Sequence, residues 1–286
     1  MTYRTLIQSA ELDTLLRERP AQTVVFDCSF DLTRPDAGRA AHEAGHLPGA
    51  VYLHLDDDLS APKSGLNGRH PLPAREAFAA RLAALGVADD SQVVVYDGVG
   101  GMYAARAWWM LRWIGHADVA LLDGGLPGWR AAGLPVAQGP TPARTPGRLT
   151  LRPALVAAVD RQALLANLGG GPRLVIDARG SDRFRGENET LDPRAGHIPG
   201  ARNRPFKDNL GADGRFKPAA QLREEWLAVI GGHATADLVM SCGSGVTACH
   251  NLLAMEVAGL GGAALYPGSW SEWCAWPDAP IATGDA

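Results

Sequence analysis

The segment Leu238–Ala248 (LVMSCGSGVTA) holds the residues best suited to chemistry. A short apolar run ends at Ser241, Cys242 follows, and Gly243-Ser244-Gly245 leads into a helical pattern that begins near Val246 or Thr247. The two glycines let the backbone curl without Cβ clashes, so that several N–H groups can point inward. The helix start adds the positive end of its dipole. Both effects favour a thiolate over a thiol, and a thiolate at a strand-to-helix turn is a nucleophile. The competing reading is a small buried hydrophobe that happens to end a strand.

The elements that must position this cysteine occur twice. Val24-Val25-Phe26-Asp27 reads like Leu174-Val175-Ile176-Asp177, an offset of 150 residues. Gly45-His46-Leu47-Pro48-Gly49-Ala50 reads like Gly196-His197-Ile198-Pro199-Gly200-Ala201, an offset of 151. Val93-Val94-Val95-Tyr96-Asp97 reads like Leu238-Val239-Met240-Ser241-Cys242, and Gly124–Trp129 like Gly268–Trp273, at offsets of 145 and 144. A nearly constant offset over four blocks is duplication of a whole domain. The position equivalent to Cys242 is Asp97, followed by Gly98-Val99-Gly100-Gly101, so the first copy offers no thiolate there.

Within each copy, short Val-, Ile- and Leu-rich runs bounded by Gly, Pro or Asp read as buried parallel strands. Helical patterns lie between them, at Phe78–Leu85 and Tyr103–Ile114 in the first copy and Gln221–Ile230 and Thr247–Ala258 in the second. The expected fold class is α/β, with two tandem domains over residues 1–140 and 150–286, each an open, mostly parallel sheet with helices on both faces. The stretch Gln138–Pro146 (QGPTPARTP) reads as an extended linker, and the tail after Ala279 as frayed.

Composition narrows the function classes. A chain of 286 residues is long for one core. A formal net charge of −4 offers no general basic surface for nucleic acid or an anionic membrane. No run reaches the ~20 apolar residues of a membrane-spanning helix, and Met1–Ala10 does not read as a secretory signal. The four cysteines, Cys28, Cys242, Cys249 and Cys274, include no C-x-x-C pair and no companion histidine cluster for zinc. Few cysteines in a long chain point to a reducing cytoplasm.

On the loop Cys242-Gly243-Ser244-Gly245-Val246-Thr247-Ala248 and the repeat, the chain resembles the tandem-rhodanese sulfurtransferases over nearly its full length. The loop is similar to the form found in 3-mercaptopyruvate sulfurtransferases, whereas thiosulfate-preferring relatives more often carry basic residues just after the cysteine. The resemblance implies a donor site in the cleft between the domains. A donor with a carboxylate and a keto oxygen is suited to an arginine clamp. By motif match Arg183, just before Phe184, is the first substrate arginine; Arg194 is the second, with Arg185 its competitor. Gly243, Gly245, Val246 and Thr247 would line the bound sulfur. His70, in Asn67-Gly68-Arg69-His70, matches a family histidine. Its acidic partner is drawn from Asp56, Asp57 and Asp58, with Asp56 as the best match. With Ser244 and Cys242 these would handle protons.

His46 and His197 occur in both copies and so read as structural. Trp129, Trp270 and Trp273 read as packing residues under the loop or at the domain interface, and Cys249 and His250 as helix packing. The implied cycle needs no metal or organic cofactor, only a covalent persulfide on Cys242, with cyanide or a thioredoxin-like dithiol as acceptor. Thiosulfate as donor is the nearest alternative, and a non-catalytic binding or sulfur-carrier module the next. A phosphatase of the same fold is disfavoured because Ala248 stands where a Cys-x5-Arg loop needs an arginine. Gly98-Val99-Gly100 starts like a dinucleotide fingerprint, but Tyr103 stands where its last glycine belongs.

Overall fold

The computed structural model describes residues 2–285, which form two compact units. The first comprises residues 2–60, Pro73–Leu155 and Ala212–Phe216; the second comprises Ala61–Leu72, Val156–Gly211 and residues 217–285. A contiguous division of the sequence does not show this exchange. Residues 61–72, early in the chain, pack with the later unit.

The first unit runs β1 (Leu6–Ile7), α1 (Ser9–Glu18), β2 (Thr23–Asp27), α2 (Ala37–Ala44), β3 (Val51–Tyr52), α3 (Arg75–Ala84), β4 (Gln92–Tyr96), α4 (Ala104–Trp113), β5 (Val119–Leu122) and α5 (Gly125–Ala131). Its parallel sheet has the order β1-β5-β4-β2-β3. Every residue of β2 and β4 is buried, as a parallel sheet covered on both faces requires. One core cluster joins Ile7, Leu12, Val25, Leu47, Val94, Leu122 and Trp129.

The second unit repeats the plan: β6 (Ala157–Ala158), α6 (Arg161–Asn167), β7 (Leu174–Asp177), α7 (Ser181–Arg185), β8 (Arg202–Asn203), α8 (Ala219–Ile230), β9 (Leu238–Ser241), α9 (Thr247–Val257), β10 (Ala264–Leu265) and α10 (Ser269–Trp273). The order β6-β10-β9-β7-β8 is again all parallel. The helix after each candidate loop is deeply buried, with eight residues of α4 and eight of α9 out of solvent. Both are apolar around most of their circumference, which is what a core helix needs.

The duplicated Gly-His-x-Pro-Gly-Ala turns have a plain structural task. His46 pairs with Ala137 and His197 with Ala282, each an antiparallel bridge to the chain leaving its copy. His46 Nδ1 sits 2.7 Å from the His42 carbonyl, and His197 Nδ1 sits 2.8 Å from that of Phe184. The tail expected to fray is therefore held: Ala282 exchanges two backbone hydrogen bonds with His197, and Gly284 N–H donates to Arg185 O. The Gln138–Pro146 stretch is extended, yet it is tied to the first unit through Thr141 Oγ1, which donates to Ala50 O, and Arg144 Nη2, which donates to Ala21 O.

Candidate functional site

Cys242 stands at the carboxyl end of β9, the middle strand of its sheet, where open α/β sheets present ligand crevices. Its side chain is 1% exposed. Gly245, at φ +75°, donates its N–H to Cys242 Sγ at 3.1 Å. Only a residue tolerant of positive φ turns that N–H inward. The loop is clamped from behind by the start of α10: Trp270 N–H donates to Cys242 O and Ser271 N–H to Gly243 O, both at 2.9 Å. Val246 caps α9, so Thr247 opens the helix as the sequence predicts.

Ser269 is a site residue that the sequence reading missed. Its Oγ accepts the Cys242 N–H at 3.0 Å and lies 3.9 Å from Sγ. It is fully buried and, among the described residues, the one non-glycine with positive φ, +53°. The equivalent position in the first copy is Gly125, also at +53°. A serine kept where the duplicate uses glycine was the available signal, and an unfavourable backbone of this kind persists where the surroundings enforce it.

The first copy shows what such a loop is built to hold. The Asp97 carboxylate accepts four backbone N–H groups, from Val99, Gly101, Tyr103 and Ala104, at 2.8–3.0 Å. Burial raises the Asp97 pKa, and those four donors oppose the rise. The loop is thus an anion cradle filled by its own side chain.

Segment 61–72 brings His70 and Arg69 to the second unit. His70, 2% exposed, places Nδ1 2.8 Å from Ser244 Oγ, so the structure brings these two residues together. Arg69 was not singled out from the sequence, although it precedes His70. Its backbone N–H donates to Ser271 Oγ at 2.9 Å. A Cβ placed on Gly243 would lie 3.2 Å from Arg69 Nη2 and 3.6 Å from Arg183 Nη1. The two guanidinium groups therefore flank the residue after the cysteine, and Gly243 leaves them room.

Arg183 lies beside the loop. Arg194 does not: its Nη1 donates to Trp276 O and its Nη2 to Ala279 O, which ties down the C-terminal segment. Arg185 forms an ion pair with Glu187 at the surface. The second guanidinium at Gly243 comes from Arg69 instead. Arg179 is a further buried cation, held by Asp177 at 2.7 Å and lying 4.8 Å over the Trp270 ring. Burial works against its charge, but Asp177, Glu189 and Cys242 outweigh that and raise its pKa.

Of the acidic run, Asp58 accepts from Arg81 Nε at 2.7 Å and from the His54 N–H at 2.8 Å. Asp57 is exposed, and Asp56, partly buried, donates its backbone N–H to His54 Nδ1. The remaining cysteines are buried and in no disulfide, with Cys28 pushed well up by burial and neighbouring carboxylates and Cys274 pushed up to about 11 by burial. Cys249 Sγ donates to Gly245 O, and Trp273 Nε1 to Pro280 O, both packing roles. Among the described residues no helix is long and apolar enough to cross a membrane.

Residues 9–132 and 160–275 each match the rhodanese-like domain family. The chain is 47% identical to a Pseudomonas aeruginosa protein named as a probable 3-mercaptopyruvate sulfurtransferase, with 100% of both chains covered. It is 38% identical to a Mycobacterium tuberculosis protein named as a thiosulfate sulfurtransferase, with 98% of both covered. Among solved structures, the 3-mercaptopyruvate sulfurtransferase of Leishmania major superposes with a TM-score of 0.84 at 30% identity, covering 97% of this chain and 76% of that one. The doubled parallel sheet, the lone cysteine loop and these matches agree: the chain is an enzyme that belongs to the tandem rhodanese-like sulfurtransferases.

Proposed function

We propose that the enzyme takes sulfur from 3-mercaptopyruvate, carries it as a persulfide on Cys242, and passes it to a thiophilic acceptor. The observation that carries this reading is the pair of guanidinium groups, Arg69 and Arg183, over Gly243, next to a thiol that receives the Gly245 N–H. Two forked cations suit the carboxylate and keto oxygen of a 2-oxo acid.

In the first half-reaction the Cys242 thiolate attacks the donor sulfur. The carbon–sulfur bond breaks, and its electron pair leaves on carbon as pyruvate enolate. The proton that the enolate takes up comes from the donor thiol, relayed through Ser244 and His70, which lie 2.8 Å apart. The outer sulfur keeps the negative charge, with the loop N–H groups and the α9 start facing it. In the second half-reaction the acceptor attacks that sulfur, and Cys242 leaves as thiolate. Cyanide would give thiocyanate; a dithiol of the thioredoxin kind would take the same sulfur. This is ping-pong chemistry and asks for no metal or organic cofactor. A reducing cytoplasm suits an enzyme whose four cysteines form no disulfide.

Thiosulfate as donor is favoured by one observation, the likeness to the relative named for it. The uncharged Gly243 and Ser244 support mercaptopyruvate. Steady-state rates with each donor and cyanide as acceptor test the choice. The expected result is a kcat/KM at least tenfold higher for 3-mercaptopyruvate; a preference for thiosulfate overturns it.

A further inference from the structure

The arginines beside the loop are not bare cations. Asp192, whose side chain is 3% exposed, bridges them: Oδ1 lies 2.6 Å from Arg69 Nη1, and Oδ2 lies 3.2 Å from Arg183 Nη2. Glu189, also 3% exposed, takes Arg183 at 2.8 Å and Arg179 at 3.4 Å. Asp177 completes the set on Arg179. Three guanidinium groups and three carboxylates thus form one network of zero formal charge.

The carboxylates grip one edge of each flanking arginine and leave the other toward the loop. Arg183 Nη1 and Arg69 Nη2 are the atoms nearest the Gly243 Cβ position. Among the described residues Arg183 Nη1 makes no hydrogen bond, and Arg69 Nη2 makes only a long one of 3.4 Å to Asp192 Oδ2. Two donors on two separate residues, bridged by Asp192 while Glu189 also holds Arg183, match a ligand with a single carboxylate and a neighbouring oxygen.

We propose that Asp192 is a positioning residue that sets donor preference: its buried charge aligns Arg69 and Arg183 for a monocarboxylate donor and penalises a dianion such as thiosulfate. This rests on the sulfur-transfer reading above. A fixed negative charge in a poorly screened site repels a doubly charged ligand about twice as strongly as a singly charged one. Discrimination of this kind needs a repulsive element as well as an attractive one.

Asp192→Asn keeps the shape and removes the charge. Measured with both donors and cyanide, the ratio of kcat/KM for thiosulfate to that for 3-mercaptopyruvate should rise tenfold or more. The change should come through a lower KM for thiosulfate and a higher KM for 3-mercaptopyruvate. Asp192→Glu, which restores the charge, should return the ratio toward that of the wild type. Equal losses with both donors in Asp192→Asn would mean a merely structural role and overturn the proposal. A second measurement uses the unaltered enzyme: pyruvate should protect Cys242 from alkylation at lower concentration than sulfate, and equal or better protection by sulfate overturns it. If neither donor loads sulfur on wild-type Cys242, the underlying reading fails too; if sulfur loads and the ratio stays fixed, only this inference fails.

Discussion

Ser269 and Cys242 show how much of the site lies in backbone conformation. Ser269 holds φ +53°, a region that costs a non-glycine residue about 1 kcal/mol, and spends its Oγ on the Cys242 N–H. Gly125 takes the same conformation in the first copy, where no cysteine needs orienting. Ser269→Gly relieves that strain but leaves the buried Cys242 N–H without its acceptor, so stability, read from denaturant unfolding, should change by no more than about 1 kcal/mol while sulfur transfer slows at least tenfold. A stability loss well beyond that, together with loss of activity, would show that the serine is a packing residue. Cys242 and Ser244 stand out in the sequence by residue type and local pattern, whereas His70 and Arg183 stand out only through the family resemblance. Ser269 is marked only by comparing the two copies, where Gly125 stands opposite it, and Arg69, one arginine among many, carries no periodic or compositional mark. Arg194 is suggested by the family resemblance at a longer spacing, and its guanidinium turns instead to the carbonyls of Trp276 and Ala279.

At the scale of elements, the duplicated strands were plain in the sequence, because buried parallel strands read as unbroken Val, Ile and Leu runs. The helices α3, α4, α8 and α9 fall within three residues of the expected ends at most boundaries. The tail was misjudged because an isolated bridge such as His197–Ala282 has no hydrophobic alternation to announce it. On α8, Glu225 is gripped by Arg204, Lys217 and Gln221. Burial pushes its carboxyl up, but those three donors outweigh burial and hold it at about 2, below its usual 4.5. The ionised form is thus favoured in the folded state, and the stabilisation is complete above 4.5 and lost as pH falls toward 2. Glu225→Gln should cost about 1 kcal/mol at neutral pH, and the gap to wild type should close between pH 4.5 and 2 in urea titrations. A gap that stays constant down to pH 2 would contradict the charge assignment.

At the scale of the whole molecule, duplication has left one loop chemically able and the other filled by Asp97. The chain then lends residues 61–72 from the early half to the later unit, and with them Arg69 and His70. No sequence pattern marks such a loan, because segment packing is decided by contacts far apart in the chain. Gly68, at φ +83°, makes the close approach possible: a Cβ there would lie 2.9 Å from Gly268 O. Gly68→Ala should push the segment away from Ser271 and lower kcat/KM tenfold or more, with a stability loss of only about 1–2 kcal/mol. Unchanged turnover would show that the segment's seat does not matter to the chemistry.

The central claim is that Cys242 alone carries the sulfur. Peptide mass spectrometry after brief exposure of the enzyme to 3-mercaptopyruvate, without acceptor, tests it most directly. The expected spectrum shows one added sulfur on the peptide containing Cys242, removed by cyanide, and none on the peptides of Cys28 or Cys274. Because Cys249 lies seven residues on, fragmentation between the two must place the sulfur on Cys242. Sulfur found on any other cysteine, or turnover with no sulfur on Cys242, would contradict the account.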